Sequence, residues 1–94
     1  MGAQGTATLD FGSTPTDEAT VAVTGQAGIV AGSHVEAFFM RETTGDNGAE
    51  EHEGMAIYCP LTVGTIVAGT GFTIFATMLA GYATGQFSVR WVWN

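Results

Sequence analysis

The stretch Gln86-Phe87-Ser88-Val89-Arg90-Trp91-Val92-Trp93 decides the fold of this chain. Its odd-numbered positions are all apolar, and the polar residues Gln86, Ser88 and Arg90 alternate with them. Alternation with a period of two is typical of a β-strand that buries one face. The stretch therefore predicts a core strand with Trp91 and Trp93 inside the protein. The alternative is that the two indoles are exposed as a platform for a glycan.

Five further runs rich in β-branched and aromatic residues lie between glycine-containing turns. They are Thr6–Phe11, Ala19–Thr24, His34–Arg41, Met55–Val63 and Phe72–Leu79. The run His34–Arg41 has apolar residues on both faces, which predicts burial on both sides. The run Met55–Val63 contains Pro60, which cannot donate a ladder hydrogen bond and must lie on an edge or at a break. No segment sustains a period of 3.6 residues, so the chain is predicted to be all-β.

The spacing of these runs indicates the fold class. Short strands separated by turns predict an antiparallel β-sandwich or jelly roll of about six to eight strands. A length of 94 residues fits a single domain, residues 1–94, with one core. The single Cys59 excludes an internal disulfide, and we expect it to be a small buried hydrophobe.

The charge balance is acidic, with nine Asp and Glu against two Arg and no Lys, which gives a net charge of −7. An acidic protein repels nucleic acid and anionic lipid headgroups, so we expect neither nucleic acid nor a membrane as a partner. Only 12% of the residues are charged, which is fewer than a soluble monomer normally carries. Part of the surface is therefore predicted to be covered in a homo-oligomer or a larger assembly.

Arg90 is one of only two fixed cations, and it lies inside the strongest predicted strand. Its side chain is expected on the side opposite the aromatic core face. Three interpretations stay open: a solvated side chain, an intrachain pair with Glu36, or a pair with an acid of a neighbouring subunit, where charge adds specificity. Arg90, Glu36 and the second cation, Arg41, are therefore candidate assembly contacts.

The acidic segment from Glu42 to Gly54 is predicted to be the main loop. Its candidate partner-facing residues are Asp46, Glu50, Glu51, His52 and Glu53. A zinc site of the helical protease type would need a second His four residues after the first, and that position is Ala56. A calcium loop would need oxygen ligands at alternate positions, and Ala49 breaks that pattern. We therefore expect no metal, no cofactor and no catalytic residue.

Five segments carry a resemblance to a known group of proteins. They are Val21–Ile29, Val35–Ala37, Glu51–Glu53, Ile66–Ile74 and Gly85–Trp93. Together they resemble small structural proteins of tailed bacteriophages, a group of decoration and accessory proteins, and the likeness extends from about Leu9 onward. The resemblance implies a component of the virion, produced in the cytoplasm of a bacterial host, and it carries over no catalytic residues.

The expected function is that of a capsid decoration or cement protein, which stabilises the particle by contacts between subunits. Its partners would be copies of itself, for instance in a trimer, and other virion proteins such as the major capsid protein. One alternative is a tail-fibre or head-fibre accessory module that binds a receptor or a glycan. Another, from a different class, is a small metal-dependent enzyme that uses His52 and the acids beside it.

Overall fold

The computed structural model describes residues 2–94, which form six β-strands and one α-helix. In chain order they are β1 (Ala3–Asp10), β2 (Glu18–Val23), β3 (Val35–Phe38), α1 (Ala49–Tyr58), β4 (Leu61–Val67), β5 (Gly71–Thr77) and β6 (Gln86–Trp93). The predicted all-β class is confirmed, with α1 as the one departure from it. Among residues 2–94 there is no helix with the length and apolar character that a membrane crossing requires.

The strands make two antiparallel sheets of three strands each. Their order is β1-β6-β3 in the first sheet and β2-β5-β4 in the second. β6 lies in the centre of the first sheet and pairs with β1 along its whole length. On its other side β6 pairs with β3, which ends at Phe38, opposite Arg90. Within residues 2–94, the first half of β6 therefore has no strand beside it on that side.

The inward-facing side chains of both sheets form one hydrophobic core. The side chains on the apolar face of β6 are buried, as its alternation predicts: Phe87, Val89, Trp91 and Trp93. The second sheet contributes Phe72, Ile74 and Ala76 from β5. The rings of Phe72 and Trp91 meet edge to face across the core, with centroids 5.5 Å apart. Because both indoles are buried, they do not form an exposed platform for a glycan.

Both indole N–H groups have acceptors inside the fold, as buried Trp side chains usually do. Nε1 of Trp91 donates to the carbonyl oxygen of Thr6 at 3.2 Å, and Nε1 of Trp93 donates to Oε1 of Gln26 at 2.9 Å. The Trp91 indole lies over Gly5, which is opposite it in β1. A Cβ at position 5 would lie only 2.5 Å from Cζ2 of that indole. Packing therefore requires glycine here.

The predicted loop and the predicted strand Met55–Val63 are wrong in part, because α1 occupies Ala49–Tyr58. The buried positions in and directly after α1 are His52, Met55 and Cys59, which recur every three or four residues. This spacing is typical of one helix face. The apparent alternation of Met55 with Ile57 does not reflect a strand, since Ile57 lies on the exposed face of the helix.

The ends of α1 are marked in the sequence. Oε1 of Glu51 accepts a hydrogen bond from the backbone N–H of Gly48 at 2.7 Å, which is half of a capping box, since Gly48 has no side chain to return the bond. Pro60 follows the last turn, where a residue without an N–H cannot continue the helix. The prediction that Pro60 lies on an edge or at a break is confirmed, and the break separates α1 from β4.

The prediction that His34–Arg41 is buried on both sides is wrong. Only Val35–Phe38 form a strand, and β3 is an edge strand of the first sheet. Its inward residues Val35 and Ala37 pack against the core. Phe38 and Met40 point to the outer face and are exposed.

Gly5→Ala is expected to lower the free energy of unfolding by about 1 to 3 kcal/mol, because the added methyl group would displace the buried Trp91 indole. Denaturant unfolding followed by tryptophan fluorescence measures this. Gly64→Ala is the matched control, since Gly64 is also a strand glycine beside an aromatic ring. There a Cβ would lie 3.5 Å from Cε1 of Phe75, an ordinary contact. Equal losses in the two variants would contradict the packing role of Gly5.

Candidate interaction surface

The outer face of the first sheet carries exposed apolar side chains around one cation. Phe38, Met40 and Val92 are 43, 47 and 39% exposed. Together with Arg90 and Gln4 they line a shallow pocket of about 340 Å³. We call these five residues the Arg90 face. A sheet that has one face on the core normally presents polar residues on the other, so these apolar side chains make the Arg90 face a candidate interaction surface.

The guanidinium of Arg90 forms a forked ion pair with the carboxylate of Glu42. Nη2 lies 2.8 Å from Oε1, and Nε lies 3.3 Å from Oε1 and 3.2 Å from Oε2. The hydrogen bond from Arg90 lowers the pKa of Glu42 below its ordinary value, although partial burial opposes the shift. The same hydrogen bond raises the pKa of Arg90. The cation is thus held in place on the face.

Of the three interpretations left open for Arg90, the intrachain pair with Glu36 is wrong, because the pair is made with Glu42. The carboxylate of Glu36 is instead 2.6 Å from Nε2 of His34, and both side chains are largely exposed. Glu36 lies two residues before Phe38 on β3, at the margin of the Arg90 face. Its role as a contact between subunits stays a prediction.

The second cation, Arg41, pairs with Glu53 at an Nε–Oε1 distance of 3.5 Å, and both side chains are more than half exposed. An ion pair in that setting contributes little to stability. Arg90 differs in that its fork is fixed by Glu42 through Nε and Nη2. Within residues 2–94 no acceptor binds Nη1 of Arg90. This nitrogen can therefore donate to a carbonyl or carboxylate of a partner.

The acidic segment supplies hydrogen bonds to the part of β6 that has no strand beside it. The backbone N–H of Gln86 donates to Oδ2 of Asp46 at 2.9 Å. The carbonyl of Gln86 accepts from Oγ1 of Thr44 at 2.8 Å and from Nδ2 of Asn47 at 2.9 Å. Side chains thus replace the next residues of β3 as partners of β6. Asp46 is exposed, but its carboxylate already serves the fold.

His52 binds the next backbone N–H on this side of β6, two residues after Gln86. Its side chain is fully buried. Its Nε2 accepts a hydrogen bond from the backbone N–H of Ser88 at 2.8 Å. Its Nδ1 lies 2.9 Å from the carbonyl oxygen of Gly48 and donates to it. This arrangement requires a neutral imidazole with its proton on Nδ1. The prediction that His52 faces a partner is wrong, and neither of its nitrogens is free to bind a metal.

The three glutamates of α1 lie at the surface of the helix. Glu51 binds the N–H of Gly48 through one carboxylate oxygen. Glu50 is next to it in the first turn, where a negative charge interacts favourably with the positive end of the helix dipole. Glu53 pairs with Arg41. Contact of these carboxylates with a partner stays a prediction.

A second apolar group, absent from the sequence predictions, lies where α1 meets the turn before β6. Ile57, Tyr58, Leu79 and Tyr82 are 66, 55, 70 and 71% exposed. The N–H of Leu79 donates to the carbonyl of Tyr58 at 2.8 Å, which joins the helix end to the turn. The sequence contained one signal for this group, namely the large apolar residues Leu79 and Tyr82 around Gly81. Turns are usually polar, so apolar residues there indicate an exposed apolar surface.

The described part of the chain contains no group of three or more His, Cys, Asp or Glu side chains placed to hold a metal ion. Cys59 is a free, buried thiol, which confirms its prediction as a small hydrophobe. Burial raises the pKa of that thiol, so it is protonated and unreactive at neutral pH.

Comparison with known proteins assigns no family to this arrangement. No protein-family model, curated protein or solved structure matches the chain. The features of the surface that bear on function are the two exposed apolar groups and the charges around them.

His52→Leu is expected to lower the free energy of unfolding by about 1 to 3 kcal/mol, because the partly buried N–H of Ser88 would lose its hydrogen-bond partner. Thermal or denaturant unfolding measures the loss. His34→Leu is the matched control: that imidazole is exposed, so the change should stay within about 0.5 kcal/mol. Similar stabilities of the two variants would refute the bond assigned to His52.

The pair of Glu42 with Arg90 predicts a specific dependence of stability on pH. Because the pKa of Glu42 is lower in the folded state, its contribution is present above the unfolded value of about 4.3 and is lost as the pH falls through the folded value. The difference in Tm between the wild type and Glu42→Gln should therefore shrink below about pH 4. Glu53→Gln removes an exposed pair and should change the Tm little. A pH-independent difference for Glu42→Gln would contradict the assignment.

Proposed function

We propose that this chain is a structural protein of a bacteriophage virion, most concretely a decoration or cement protein that binds the capsid shell and stabilises it by contacts between subunits. The partners are other copies of the chain and virion proteins such as the major capsid protein. The resemblance of its strand and turn segments to small phage structural proteins supports this. The proposal assigns no catalytic residue and no cofactor.

The path of the chain supports a jelly roll as the finer description of the fold. Strands β1 to β4 alternate between the two sheets, and β6 and β5 run back beside β1 and β2. A ribbon wound in this way around one core is the arrangement of jelly rolls, which recur in viral capsid and lectin domains. A fold does not fix a function, so the jelly-roll topology supports a role in a virion only by analogy.

The observation that carries the proposal is the Arg90 face. Three half-exposed apolar side chains surround a cation that Glu42 holds in place, in a chain without lysine and with a net charge of −7. A partner that covers this face would bury Phe38, Met40 and Val92 and offer an oxygen to Nη1 of Arg90. A capsid surface with an apolar patch and a carbonyl or carboxylate oxygen at its centre would be complementary to this face.

A second candidate, the fibre module that binds a receptor or a glycan, is favoured by the other apolar group. Tyr58 and Tyr82 line a pocket of about 280 Å³, together with Asn47 and Glu51. Aromatic rings beside amide and carboxylate groups can stack on sugars and bind their hydroxyls. Binding of the purified protein to the host-cell surface, and not to capsids, would favour this function.

The third candidate, a metal-dependent enzyme that uses His52, has no such observation behind it. The imidazole is buried, and its two nitrogens are bound to Ser88 and Gly48. The imidazole joins Ser88 of β6 to Gly48 at the start of α1, so it serves the fold.

The purified protein is expected to co-sediment with intact capsids of its own phage. Arg90→Gln should reduce the bound amount by about tenfold or more, because removing one partner of a buried charge contact is costly. Thr62→Glu is the matched control: it changes the net charge by the same single unit, but on β4 in the second sheet. It should bind like the wild type.

Two outcomes would contradict this proposal. Equal capsid binding by Arg90→Gln and the wild type, with both variants folded by circular dichroism, would reject the Arg90 face as the contact. Mass spectrometry of purified virions that found none of this chain would reject the virion function altogether.

A further inference from the structure

β1 is an edge strand, and one row of its backbone groups has no ladder partner. The N–H of Phe11 donates to the carbonyl of Gly85 at 2.9 Å, in register with the ladder between β1 and β6. Since antiparallel ladders alternate, the odd-numbered residues of β1 point their N–H and C=O groups toward β6. The backbone groups of Gln4, Thr6 and Thr8 therefore point away from the sheet.

The other edge strands are shorter than β1, and each also has a charged residue or an irregular register. β3 has four residues and contains Glu36, β4 has an irregular register after Gly64, and β2 begins at Glu18. Short length, charge and bulges are the usual means by which proteins protect a free edge. β1 has eight residues in unbroken register, with no proline and no charge before Asp10.

The charge distribution favours a second copy of the chain as the occupant of this edge. Two copies with a net charge of −7 each repel one another over most of their surfaces. The stretch from Ala3 to Leu9 carries no charge, so two copies can meet there without bringing carboxylates together. The exposed side chains on it are Gln4, Thr6 and Thr8, and Thr–Thr contacts across strands are favourable.

We propose that the free edge of β1 pairs antiparallel with the β1 edge of a second copy, across a two-fold axis at Thr6. Thr6 then lies opposite Thr6 of the second copy, and Gln4 lies opposite Thr8. Asp10 falls opposite Gly2, outside the uncharged stretch. Two three-stranded sheets become one sheet of six strands. This contact concerns the protein in solution, so it does not depend on the virion function.

The edge is already held in the geometry that pairing needs. The carbonyl of Thr6 accepts the N–H of the buried Trp91 indole, which also lies over Gly5. This fixes the middle of β1 before a partner arrives, and a preorganised edge loses less conformational entropy on binding. The carbonyl oxygen has a second lone pair for the new ladder bond.

Size-exclusion chromatography with light scattering, over a concentration series, is expected to show a dimer. Thr6→Lys places two like charges opposite each other at the axis and should raise the dimer dissociation constant by about tenfold or more. Thr20→Lys is the matched control, since Thr20 is an exposed threonine in the middle of β2, at the edge of the second sheet. It should leave the dimer unchanged.

A mixture of Thr6→Lys and Thr6→Glu tests the register itself. Each variant alone should be monomeric at a concentration where the wild type is a dimer, and the mixture should form a heterodimer. Thr6→Pro is a second, uncharged test. It removes an N–H that makes no ladder bond within the chain but is needed for pairing with a second copy, so this variant should also be a folded monomer. A monomeric or trimeric wild type, dimers of Thr6→Pro, or no association in the mixture would overturn the proposal.

Discussion

The central strand β6 needs hydrogen-bond partners on both of its sides, and the rest of the fold is arranged to supply them. β1 serves one side along the whole strand, but β3 ends opposite Arg90 and leaves the first half of the other side without a strand. Asp46 binds the N–H of Gln86 there, and His52 binds that of Ser88. Leaving the N–H of Ser88 without a partner beside the buried His52 would cost about 1 to 3 kcal/mol. The acidic segment and α1 are therefore fixed against β6 by the hydrogen bonds that they supply to it.

This dependence explains which elements could be predicted from the sequence. The strands β5 and β6 were predictable because each buries alternate residues, and that pattern is local. The helix α1 was not, because its buried face includes a polar residue, His52. That side chain is buried since it bonds to Ser88, 36 positions away. A pattern of hydrophobic residues gives no information about a hydrogen bond between distant residues. The remaining signals for the helix were Glu51 at its start and Pro60 after its end.

The candidate surface was predictable to a similar extent. The period of two in β6 placed Arg90 on the outer face, because it alternates with the buried Val89 and Trp91. Its partner could not be found in that way. In the register of β3 with β6, a continued strand would bring Glu42 opposite Gln86, four residues from Arg90. The chain leaves the sheet after Phe38 instead, and the turn that follows brings Glu42 to the guanidinium.

The edge of β1 and the Arg90 face lie on the same sheet, and their geometry links them. Identical strands that pair antiparallel within one sheet are related by a two-fold axis perpendicular to it, so their outer faces point in the same direction. Two Arg90 faces would then lie on one surface at a fixed spacing. A single face with three apolar side chains and one cation makes a small contact, which is weak alone. A partner surface that repeats the same site would bind two linked faces much more tightly than one, because the second contact would form at high effective concentration.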